Sequence, residues 1–103
     1  MVKKQYLLRL LYAIEALHKC RAEWVETVPV TEMFRGQTVW EGEVEIYNLE
    51  GHPKAKRCYG WAHAKGDGER FVTVLEIPPA DSPQNAVKVA AASEAKQILD
   101  SQG

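Results

Sequence analysis

Three strand-like runs, joined by short connections and preceded by a fourth, leave this chain few ways to fold. The stretch from Thr38 to Tyr47 alternates Trp40, Gly42, Val44 and Ile46 with Glu41, Glu43 and Glu45, the period of two that a half-buried strand needs. Residues 55–65 and 69–77 supply the next two runs, separated by Lys65-Gly66-Asp67-Gly68, a hairpin turn in which glycine provides positive φ without a steric penalty. Upstream, Trp24 to Thr31 is rich in β-branched and aromatic residues and contains Pro29. A proline removes a ladder donor, so this run reads as an edge or bulged strand. Phe34-Arg35-Gly36-Gln37-Thr38 then makes the turn into the next strand. Connections this short allow only antiparallel neighbours, and the four runs form an antiparallel meander.

A helix is expected on either side. Over residues 3–21, Leu7, Leu10, Leu11, Ile14 and Leu17 fall on one arc at 100° per residue, while Leu8 and Tyr12 lie outside it, one turn apart. That second apolar pair is a candidate subunit contact. His18, at the end of the arc, reads as a core-edge residue capping the last carbonyls. Ser82-Pro83 marks a second helix start, with Ser82 as N-cap and Pro83 in the first turn. This helix should run to about Leu99, with Val87, Ala90, Ala91 and Ile98 inward. The fold class is therefore α+β, in the order α-β-β-β-β-α, as one domain over residues 1–103. Both helices are expected on one face, because Glu41, Glu43 and Glu45 make the other polar.

Under that expectation, small residues lie together. Cys58, Gly60, Ala62 and Ala64 sit beneath the alanine-rich last helix, and Cys58 is an inert core thiol. Tyr59, Trp61 and His63 then stand on the outer face beside Glu43 and Glu45, as a candidate ligand or interface surface. The spacings His18-x-Cys20 and Cys58-x4-His63 are not those of zinc sites, so no metal and no cofactor are expected. No nucleophile motif or glycine-rich phosphate loop is present. His63 with Glu43 or Glu45 could share a proton across strands, which keeps a small enzyme open as one reading.

The loop at 52–57 gathers His52, Lys54, Lys56 and Arg57 ahead of Tyr59 and Trp61, a pattern that can seat phosphates and stack bases. The helix–meander–helix order also resembles, in topology, the double-stranded RNA-binding domain. That family's basic run at the start of the last helix is replaced here by Ser82-Pro83-Gln84-Asn85, and no functional residue carries over. A net charge of −1 argues against a general phosphate-backbone binder. Arg9 and Glu15 interrupt the only N-terminal apolar run, and no stretch approaches a membrane span. With two unpaired cysteines, the reading is a cytoplasmic protein with reduced thiols. The function expected is a small non-catalytic binding or assembly module, a homodimer, taking a small-molecule or protein ligand. A nucleic-acid-associated protein using the 52–57 loop is the alternative, and a His/Glu acid–base enzyme the second.

Overall fold

The computed structural model describes residues 2–65 and 68–102, with side chains described at 4–62 and 70–92. Its elements are α1 (Val2–His18), β1 (Arg21–Phe34), β2 (Gln37–Glu50), β3 (Arg57–Lys65), β4 (Gly68–Leu75) and α2 (Pro83–Gln102). The four strands form one antiparallel sheet in the order β1-β2-β3-β4. This is the α-β-β-β-β-α order and α+β class that the turn signals imply. The expected turn at Gly66 and Asp67 lies outside the described residues.

Local chemistry explains where the elements stop. α1 ends three residues earlier than its apolar period suggests. Lys19 takes a left-handed φ of 54°, and its amide closes on the Glu15 carbonyl at 3.0 Å, a common way to terminate a helix. The Glu15 carboxylate then accepts the Ala22 amide at 2.9 Å, turning the chain directly into β1. Arg35 and Gly36 have φ of 52° and 76°, the signs of a type I′ turn, whose twist matches that of the flanking strands. β1 is an edge strand, with register shifts at Trp24/Glu26 and Glu32/Met33, so Pro29 sits where a missing donor is tolerated.

The start of α2 is as the sequence implies. Ser82 Oγ accepts the Asn85 amide at 3.1 Å, with Pro83 as the first helical residue. Ser82→Ala is expected to cost about 1 kcal/mol, measured as a lowered urea midpoint at unchanged slope. An unaltered midpoint would show that the cap contributes nothing.

One expectation is corrected. The helices do not share a face; the sheet is covered on both sides. α1 places Leu10 and Ile14 against Tyr47 and Cys58, flanked by Phe71 and Leu75. α2 places Ala86 and Val87 against Val30, Val44, Ile46, Tyr59 and Trp61, with Ala90 beside them. Adjacent residues of one strand, such as Ile46 and Tyr47, thus enter different cores, because strand side chains alternate across a sheet. Of the predicted inner positions of α2, Val87 is buried and Ala90 half-buried, Ala91 is exposed, and Ile98 lies outside the described side chains; Ala86 is the buried residue the sequence reading omits.

The sheet is also forked. β1 and β2 pair along nearly their whole lengths, and β3 and β4 pair from Cys58 to Lys65. β2 and β3 pair only from Glu45–Gly60 to Asn48–Arg57. Beyond that point the two hairpins separate. On the α2 side, the Trp40 and Trp61 rings lie 5.5 Å apart at 63°, an edge-to-face arrangement favoured by the ring quadrupoles. Gly42 leaves room for this, since a Cβ there would come within 3.0 Å of the Trp40 ring.

Candidate functional site

The row Glu41, Glu43, Glu45 lies on the same side of β2 as Tyr47, the side on which α1 packs. Glu41 and Glu43 are exposed, whereas Glu45 is buried at the point where β2 and β3 part. Burying a carboxylate costs unless it is hydrogen-bonded. Here Trp24 Nε1 donates to Glu45 Oε1 at 3.0 Å, and Thr27 Oγ1 donates to the same oxygen at 2.5 Å. Both donors come from β1, which faces Glu45 in register at Thr27. Next along the strand, Tyr47 donates to the Leu7 carbonyl of α1 at 2.9 Å. Burial raises its phenol above the usual range, and the Glu45 carboxylate adds to this.

The structure separates the residues that the sequence reading groups together. Tyr59 is opposite Ile46, and Gly60 is opposite Glu45, so Tyr59 and the glutamate row occupy different faces. Tyr59 and Trp61 are not an outer surface: they are 2% and 4% exposed, beneath α2. Tyr59 donates its hydroxyl to Glu76 Oε2 at 2.6 Å; burial, then that bond, raises its pKa. The His63 side chain lies outside those described, so the proposed pairing with Glu43 or Glu45 has no described geometry.

In the 51–57 loop, His52 plays a local part. Its Nδ1 accepts the amides of Lys54 and Ala55, each at 3.0 Å, and this fold-back leaves Lys54, Lys56 and Arg57 exposed. The aromatics that would stack bases beside them are the buried Tyr59 and Trp61. His52 also lies 6.3 Å from His18, edge to face. His18 Nε2 is 2.9 Å from Thr73 Oγ1, so it joins α1 to β4 rather than capping its own helix. Burial, then the neighbouring His52, lowers its pKa.

Cys58 is buried as expected, but beneath Leu10 and Ile14 of α1 rather than beneath α2. Burial pushes its thiol up to about 12, leaving almost no thiolate at neutral pH. Cys20 is half-buried, and burial followed by Glu15 raises it too. With a thiol reagent at pH 8, the native protein should release one equivalent, from Cys20, and the second only on unfolding. A Cys20→Ser variant that still reacts rapidly when native would contradict this burial.

The apolar surface left over lies on the outside. On α1, Leu8 and Tyr12 are 41% and 61% exposed, and Leu17, expected on the inner arc, is 63% exposed because the helix ends just beyond it; at the β1–β2 tip, Met33, Phe34 and Val39 are more than half exposed. The sequence reading names the first pair and misses the tip, although an apolar Met33-Phe34 abutting a turn is its signal. A concavity of about 490 Å³ at the other end of β1–β2 is lined by Arg21, Ala22, Glu23, Asn48, Leu49 and Glu50, too polar to resemble a typical small-molecule site. Among the described residues, no cluster of three or more His, Cys, Asp or Glu could hold a metal ion, and no helix is long and apolar enough to cross a membrane. No family model matches the chain, and no curated protein or solved structure matches it significantly.

Proposed function

We propose that this chain is a small non-catalytic binding and assembly module that pairs with a second copy of itself through the outer stripe of α1. The observation that carries this reading is the exposure of Leu8 and Tyr12, one turn apart, on a helix that already buries Leu10 and Ile14 on its other side. Around the helix, Lys4, Leu8, Tyr12 and Glu15 fall within an arc of roughly 80°. Two such helices crossing antiparallel would set Leu8 of each copy on Tyr12 of the other. Lys4 of each would then approach Glu15 of the other, the reciprocal contact a two-fold axis requires. Copies with a net charge of only −1 repel one another little.

A single helix pair covers less than the roughly 1,600 Å² of an ordinary stable interface, so the expected dimer is of micromolar affinity. Sedimentation equilibrium should show a monomer–dimer equilibrium for the unmutated chain. Tyr12→Glu should weaken it at least about tenfold, with the melting curve unchanged. A monomer at every accessible concentration would defeat the reading.

The sheet no longer supplies an alternative contact through Trp61, which is part of the core.

A further inference from the structure

Where β2 and β3 part, two strand edges face each other, and among the described residues only the β3 edge meets a group from elsewhere in the fold. The β2–β3 ladder stops at Glu45–Gly60, although β2 continues with β1 back to Gln37 and β3 continues with β4 to Lys65. On the β3 side, the Ala62 amide donates to the Tyr6 hydroxyl at 2.9 Å. A side chain of α1 thus takes the place a neighbouring strand would have. On the β2 side, residues 37–44 pair with β1 alone among the described residues. A strand edge presents N–H and C=O groups that can accept a further strand. The outer edge of β1 is guarded against this by Pro29 and by the extra residue Val25, whereas the second register shift leaves its extra residue, Val39, on β2. Past that bulge, the β2 edge from Trp40 to Val44 pairs with β1 in unbroken register and contains no proline.

We infer that this edge of β2, from Trp40 to Val44, is a docking site for an extended basic segment of a partner protein, which adds as a strand within the fork. Charge selects the occupant. Residues 21–50 carry seven glutamates against Arg21 and Arg35, a net charge of −5, while the rest of the chain carries +4. Glu41 and Glu43 are exposed along this edge, and the buried Glu45 continues their row to the vertex of the fork. A second copy paired here would bring its own carboxylates against these, and like charges facing across strands destabilise a sheet. A strand with lysine or arginine at every second position reverses that sign. Its intervening side chains would lie on the α2 side, against the Trp40 ring that covers Gly42, so they should be apolar. Main-chain bonds would provide affinity and the basic–apolar alternation specificity. This goes beyond self-association and uses a different surface from the α1 stripe.

The test is a titration of the isotopically labelled full chain with a capped peptide of about seven residues alternating lysine and valine. Saturable binding is expected, with the largest amide shifts at residues 40–44. N-methylation of alternate peptide amides should weaken binding at least about tenfold, because a ladder needs those donors. The Glu41→Lys, Glu43→Lys double variant, changed only at exposed positions, should lose at least as much while melting as the unmutated chain does. The inference is overturned if the alternating peptide does not bind, or if shifts centre on α1 or the 52–57 loop. Equal binding by a glycine–lysine peptide of the same charge, or by the methylated peptide, also overturns it by leaving charge attraction alone. Repeating the titration on Tyr12→Glu separates the two proposals. Peptide binding there stands whatever the oligomeric state, and a dimer that binds no peptide sinks this inference only.

Discussion

Trp61→Ala is expected to remove about 3–5 kcal/mol of stability, a large part of the roughly 5–15 kcal/mol that holds a typical domain folded. The ring is 4% exposed and packs among Val30, Val44, Ile46, Tyr59, Ala86 and Val87. Removing it leaves a void on the α2 side and strips Trp40 of its edge-to-face partner at 5.5 Å. The cavity opens at the vertex of the fork, where β2 and β3 have no ladder to hold them together, so collapse around it requires the hairpins to move. Urea unfolding followed by far-UV circular dichroism gives the number without relying on the missing fluorophore. Trp61→Glu should fail to fold, because it would bury an unpaired charge at the same place. A loss of less than about 1 kcal/mol in the alanine variant would mean that the ring lies outside the core.

Gly60→Val should cost about 1–3 kcal/mol even though valine favours strands. A Cβ at Gly60 would stand 3.1–3.3 Å from three atoms of the Leu10 side chain, and valine adds two methyl groups beyond that. Leu10 is fully buried, so α1 must lift or Leu10 must leave its rotamer. The clash is local, which makes it testable as a coupling. With Leu10→Ala in the background, the cost of Gly60→Val should fall or change sign, because the new methyls occupy the space the leucine vacates. A double-mutant cycle with no coupling would show that Leu10 and Gly60 do not meet.

These two sites also show why the order of elements was legible in the sequence and the assignment of faces was not. Turn and cap chemistry is local: Arg35-Gly36 and Ser82-Pro83 mark their positions whatever the rest of the chain does. Which helix covers which face depends on fit. Matching the small side of β3 to the alanine-rich helix is a small-to-small pairing, and it leaves too little volume to fill the layer. The fold instead sets the leucines of α1 on Cys58 and Gly60 and the alanines of α2 on Tyr59 and Trp61, large against small in both layers. The candidate site fails for a related reason. Whether Tyr59 lies beside Glu45 or Ile46 is a difference of one residue in register, and a one-residue shift exchanges the two faces completely. The glutamate row itself does carry a readable hint. On its own side of β2 it gives way to Tyr47, which marks where α1 begins to cover the sheet.

The bonds that seat α1 have a consequence for how the chain reaches this state. Tyr6 to Ala62 and His18 to Thr73 join residues 56 and 55 positions apart, whereas the β1–β2 and β3–β4 hairpins each close between neighbours in sequence. The hairpins can therefore form early, at little cost in loop closure. α1 leaves the ribosome before the strands it packs on and finds its seat only after both β3 and β4 exist. Until then its leucine stripe has nothing to cover it. The slow step of folding should therefore be the docking of the first helix onto strands made long after it, and the interval before docking is when newly made chains are most exposed to aggregation.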